Sequence, residues 1–249
     1  MTTTFRSMFA AAVLAGTALS ATPAFAQDEA ISVSANVAMV TDYRFRGVSL
    51  SGGDFAIQGG VDVAHASGFY VGTWASSIEG GDYGGTELDI YGGWSGALSD
   101  SLSVDVGLLY YVYPSGIDAD DPFGFDTDYF EPYASVTGAV GPAEVTVGVA
   151  YAFDQDSLGD DDNLYLYGDL GFAIPETPVS FSAHLGYTDG VLAPEYLLGG
   201  TDDSAFDWSL GASVGFKGLD LGVSYIGVEG PTVDGYTDDT IVASLSASF

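Results

Sequence analysis

The 249-residue chain has no cysteine, four lysines and arginines in total, and no long apolar run beyond its first residues. Each absence excludes something. Without cysteine there is neither a disulfide framework nor thiolate chemistry, and cysteine usage says nothing about compartment. Four basic residues against 35 acidic ones leave nothing to neutralise phosphates, so nucleic acid is excluded as a partner. A spanning helix needs about 20 consecutive apolar residues, and no such stretch follows the leader. The chain is instead rich in glycine (35), tyrosine (16) and phenylalanine (15), a composition that suits sheets better than helices.

The N-terminus reads as a secretory signal peptide over residues 1–26. Arg6 charges a short start, residues 8–19 form an alanine-rich apolar core, and Ala24-Phe25-Ala26 is an A-x-A cleavage site before the polar Gln27-Asp28-Glu29. The core is too short for a membrane anchor. Residues 27–249 are then the folded part, with three basic residues against 35 acidic ones, a formal charge of −32.

That part reads as twelve short alternating runs. The last is the clearest: Ile241, Ala243, Leu245, Ala247 and Phe249 alternate with Ser244, Ser246 and Ser248. Period two marks a strand with one greasy and one wet face, and outer-membrane barrels commonly close on a terminal aromatic such as Phe249. The same pattern recurs at 31–46 (Val33, Val37, Met39, Tyr43, Phe45), 55–65, 86–97, 101–113, 128–140, 143–153, 163–174, 179–188, 206–216 and 219–229. In the run 68–79 the face is ambiguous, because Phe69 and Val71 compete with Tyr70, Trp74 and Ile78. Each run has about the 9–11 residues of a tilted membrane strand. Connections alternate short and long, as periplasmic turns and outer loops do. The expected fold is therefore an all-β, antiparallel up-and-down transmembrane barrel of about twelve strands, of the outer-membrane type. The competing architecture is a secreted β-sandwich that buries the same apolar faces in a core.

Charge sorts with this pattern. Asp42, Asp62, Glu87, Asp89, Asp105, Glu131, Glu144, Asp169, Asp207 and Asp220 all take the parity opposite the apolar face, as do Arg44 and Arg46. A carboxylate facing lipid is costly, so these residues belong to the lumen. Apart from Asp42 and Asp220, they are the candidate pore lining. Arg44 and Arg46, read on the first strand, either set a cationic strip against the lumen acids or pair with them structurally.

The remaining motifs carry little chemistry. Acid-rich loops, including Asp118, Asp120, Asp121 and Asp126, suggest a cation-gathering vestibule or divalent-ion contact, although general surface acidity accounts for most of them. Asp154-x-Asp156 begins like a calcium loop but fails at Leu158 and Tyr165. Gly211-Ala212-Ser213-Val214-Gly215 matches G-x-S-x-G without the strand-to-helix turn a nucleophile elbow requires. His65 and His184 form neither a zinc set nor a triad, and His184 is expected packed and hydrogen-bonded in the lumen. No catalytic residue, metal site or cofactor is expected.

Residues 36–49, Asn-Val-Ala-Met-Val-Thr-Asp-Tyr-Arg-Phe-Arg-Gly-Val-Ser, resemble the opening of the TorF family of porin-like proteins, also known as the Gcw_chp family of proteobacterial proteins. The likeness continues through Ala56-Ile57-Gln58-Gly59-Gly60, residues 64–76, Glu87-Leu88-Asp89-Ile90-Tyr91 and residues 109–114. It implies an outer-membrane barrel of porin type, and brings no substrate or catalytic residues. Leu50 stands where the family pattern leads one to expect glutamine. The expected function is passive diffusion of small hydrophilic solutes with cations favoured; the alternative is a plugged structural or surface-interaction barrel with cation-binding loops, an enzyme being less favoured. Expected partners are outer-membrane lipid and lipopolysaccharide, the barrel-assembly machinery, and small solutes or cations; the sequence leaves the oligomeric state open.

Overall fold

The computed structural model describes residues 30–116 and 127–249. The leader and the acids at 118, 120, 121 and 126 lie outside the described residues. Twelve strands close into one antiparallel barrel: β1 (Ile31–Val40), β4 (Ala56–His65), β5 (Phe69–Ser77), β6 (Thr86–Ala97), β7 (Leu102–Val112), β8 (Tyr129–Val140), β9 (Ala143–Gln155), β10 (Asp161–Ala173), β11 (Val179–Gly190), β12 (Ser204–Phe216), β13 (Leu219–Val228) and β14 (Thr240–Ser248). Between β1 and β4 lies a two-stranded hairpin, β2 (Arg44–Phe45) and β3 (Val48–Ser49), outside the barrel sheet. No described helix is long and apolar enough to cross a membrane.

Each barrel strand pairs with its neighbours in chain order, and β1 joins both β4 and β14. The seam runs from Asn36 opposite Ser248 to Val40 opposite Ser244. Phe249 extends it, exchanging both backbone hydrogen bonds with Ala35 at 2.9 and 3.1 Å. Closure leaves no open sheet edge, a requirement for strands in hydrocarbon.

The period-two pattern becomes two faces. Val37, Ile57, Val71, Val147, Leu210 and Leu221 are exposed on the outside, while their sequence neighbours point into the lumen. A sandwich would bury these side chains between sheets; an outer-membrane barrel presents them to lipid. In β5 the wall settles the ambiguous face: Phe69 and Val71 are exposed, and Trp74 is buried inside. The turns at 66–68, 98–101, 141–142, 174–178 and 217–218 share one end with the start of β1 and the end of β14, and the longer connections share the other.

The first run departs from expectation. Its alternation does not continue to residue 46, because β1 ends at Val40. Arg46 (φ 49°) and Gly47 (φ 82°) both adopt left-handed conformations, which joins β2 to β3 by a tight two-residue turn. Positive φ at both central residues is what a type I′ hairpin turn demands. The segment 41–55 therefore leaves the wall and folds into the barrel mouth. Tyr43 and Phe45, read from the sequence as lipid-facing, pack inside instead.

Candidate functional site

The hairpin is tied down at its base and seated at its tip. Arg44 is buried and saturated: Nε donates to Asp42 Oδ2 at 2.5 Å, and Nη1 to the carbonyls of Gly47, Tyr236 and Asp238 at 2.9–3.1 Å. Asp42 also accepts from the Ser49 and Ser51 hydroxyls. Backbone bonds from Ser49 to Tyr236 and from Glu79 to Leu50 knit the hairpin to two outer loops. Arg44 and Asp42 thus brace the loops, off the barrel strands on which sequence parity put them.

The tip crosses the lumen. Tyr43 meets Trp74 of β5 edge-on and donates to Glu87 of β6 at 2.7 Å. Phe45 packs edge-on against Tyr111 of β7. Arg46 reaches β8, where one nitrogen, Nη2, donates to both oxygens of Glu131 at 2.7 and 2.8 Å. Its guanidinium lies over the Tyr165 ring of β10 at 4.1 Å. Gly47 presses against the far wall: a Cβ there would stand 2.6 Å from Val228 Cβ and 3.1 Å from Asp207 Cβ. Only glycine satisfies both this space and this φ.

The buried charges are stabilised by these partners. Burial, then the Glu87 and Asp89 charges, push the Tyr43 phenol well above its ordinary value, so it stays a donor. Burial works most strongly against the Arg46 charge, but the facing Glu131 carboxylate, together with Tyr111, Tyr129 and Tyr165, outweighs it and raises the guanidinium further. Arg46 keeps its charge, and removing either partner would leave a buried ion uncompensated, at a cost of about 3–5 kcal/mol.

Below the hairpin the lumen changes character. Glu131 is fully buried (0%) under the tip, whereas the Asp169 side chain, nearer the short-turn end of β10, is 44% exposed although it faces inward. The lower lumen is a vestibule packed loosely enough to leave this carboxylate accessible. Two of its acids are held by phenol hydroxyls: Tyr91 donates to Asp62 and Tyr70 to Asp105, each at 2.6 Å. His184 sits between Asp169 at 2.6 Å and Asp207 at 3.1 Å, with the Tyr165 hydroxyl 2.8 Å from its Nε2. A polar chain thus runs from Glu131 through Arg46, Tyr165 and His184 to Asp169.

Of the candidate pore residues, the structure gathers Glu87, Asp89 and Glu131 under the hairpin, with Asp207 across the lumen. It places Asp62, Asp105 and Asp169 in the vestibule, and leaves Glu144 exposed beside the 141–142 turn. Sequence reasoning missed the inward tyrosines. They share parity with the acids, as in Glu87-x-Asp89-x-Tyr91 and Tyr129-x-Glu131-x-Tyr133, which was the available signal. Inward glycines make room for their rings: Tyr91 covers Gly72 and Tyr167 covers Gly148 on the paired strands, within 2.5 Å of where a Cβ would stand. Among the described residues no group of histidines and carboxylates is arranged to hold a metal ion.

Residues 24–249 match the family described as "Bacterial protein of unknown function (Gcw_chp)". The chain belongs to the Gcw_chp family. No curated protein matches it in sequence. Among solved structures, this Gcw_chp barrel resembles the KdgM porin, with 9% identity, a TM-score of 0.57, and 87% of this chain and 98% of that chain covered. It resembles the structure of the KdgM porin in complex with disordered oligogalacturonate at 8% identity and a TM-score of 0.56, covering 87% and 97% of the two chains. At such identity the likeness is one of fold, and the fold is that of outer-membrane porins.

Proposed function

We propose that the chain is an outer-membrane channel for small hydrophilic solutes, narrowed at its outer end by the first loop and favouring cations. The observation that carries this reading is the vestibule: an inward carboxylate, Asp169, left open to water inside a closed barrel. A wall built only for strength has reason to fill that space with packed side chains. Arg46 and Arg44 are spent on Glu131 and Asp42 and His184 lies between Asp169 and Asp207, so Asp62 and Asp105, with the part of Asp169 that His184 leaves exposed, set the field in the vestibule. An acid-lined lumen draws cations in and resists polyanions such as the oligogalacturonate found with KdgM. The leader would export the chain, and lipid, lipopolysaccharide and the barrel-assembly machinery would be its membrane partners.

The buried hairpin favours a second reading, a plugged barrel that serves as structure or as a surface for ions. Single-channel recording in planar bilayers separates the two. The channel reading expects small, discrete conductance steps from protein whose gel migration shifts on heating, as a folded barrel's does. Folded protein that conducts nothing sinks it in favour of the plug.

A further inference from the structure

The seat of Arg46 has the parts of a guanidinium-binding site. A carboxylate, Glu131, meets the edge of the group, and an aromatic ring, Tyr165, lies under its face at 4.1 Å. Tyr111 donates to Glu131 Oε2 at 3.1 Å and fixes the carboxylate's orientation. Carboxylate on the edge and ring on the face is how proteins recognise guanidinium, because the ion is planar, forked and weakly hydrated.

The native occupant fits this seat imperfectly. Both oxygens of Glu131 are served by one nitrogen, and the buried Nε and Nη1 of Arg46 find no protein partner. A fork-to-fork pair uses two nitrogens in parallel. The occupant is also held by a turn in which a non-glycine residue takes a positive φ, a conformation disfavoured by about 1–2 kcal/mol. A guanidinium free of that turn could present two nitrogens to Glu131. A seat meant only for a permanent plug could equally be apolar, since buried ion pairs are often no better than hydrophobic packing.

We infer that the Glu131–Tyr165 seat is a binding site for guanidinium-bearing solutes, and that Arg46 occupies it as a tethered stand-in which such a solute displaces. The inference deepens the channel reading and rests on it for the ligand's access through the acidic vestibule. Displacement unseats the hairpin tip and opens the outer half of the lumen. The protein's own hairpin is then the competitor that sets apparent affinity.

Agmatine, and cadaverine as a dication without a guanidinium, test this by calorimetry on the refolded barrel. Arg46→Ala should bind agmatine roughly tenfold or more tighter than the wild type, because the tethered competitor is gone. It should also prefer agmatine to cadaverine, and adding Glu131→Gln should abolish that preference. Equal binding of the two amines by Arg46→Ala, or no gain over the wild type, overturns the inference. If Arg46→Ala does not fold, Trp74, which packs against Tyr43 of the hairpin, reports instead. In a Trp94→Phe, Trp208→Phe background, agmatine and not cadaverine should red-shift its emission, and no shift overturns the inference. Conductance without agmatine binding sinks the site and leaves the channel; binding without conductance sinks the channel and leaves the site.

Discussion

Two adjacent residues, Arg46 and Gly47, carry the difference between an empty barrel mouth and an occupied one. Arginine is an unusual first residue for a turn that asks for positive φ, and its place there is offset by Glu131 and Tyr165. Gly47 has no such latitude. Gly47→Ala should destabilise the barrel by about 1–3 kcal/mol through overpacking against Val228, read as a lower urea midpoint in liposomes. An unchanged midpoint would show that the tip is not seated. At this scale the inward side of Glu87, Asp89, Asp105 and Glu131 was legible from parity, since a carboxylate excludes itself from lipid, whereas Asp42, read with the same parity, lies off the wall. The tyrosines were not, because a phenol suits either face and only the paired strands show which hydroxyl reaches which acid.

At the scale of elements, the strands were legible and the first loop was not. Period two reports which face is apolar, and it held in eleven of the twelve runs far enough to place the wall. In β5 both faces are apolar, so alternation could not choose. The closed barrel chooses, because Trp74 packs against Tyr43 inside while Val71 stays outside. Val71→Arg should then cost up to about 2–4 kcal/mol of folding free energy, depending on its depth in the bilayer, measured by urea titration in liposomes. A cost near zero would put Val71 at a wet surface. The hairpin element invites excision: replacing residues 43–53 with a short glycine-serine linker should leave a heat-modifiable barrel with several-fold higher conductance. Unchanged conductance would mean that the hairpin is not the constriction.

At the scale of the whole molecule, net charge and barrel closure act together. In the sequence most of the 35 acids fall outside the alternating runs, and on the channel reading their field should favour cation entry at low salt and less so when screened. Under a salt gradient the wild type should show a cation-selective reversal potential. Changing Asp62, Asp105 and Asp169 to asparagine together should move it toward zero, more at low than at high ionic strength. A reversal potential that ignores all three substitutions would assign selectivity to the loops.

What the sequence by itself determined is the wall. Apolar alternation, acids confined to one parity and loops sorted by length are local properties, and lipid outside with water inside makes them sufficient. The tertiary structure alone decided what fills the mouth. Tyr43, Arg44, Phe45 and Arg46 alternate as a strand would, and nothing local distinguishes them from β1. Their fate depends on Glu87, Glu131, Tyr165 and Asp238, partners 44 to 194 residues away in the chain that closure of the barrel brings around them.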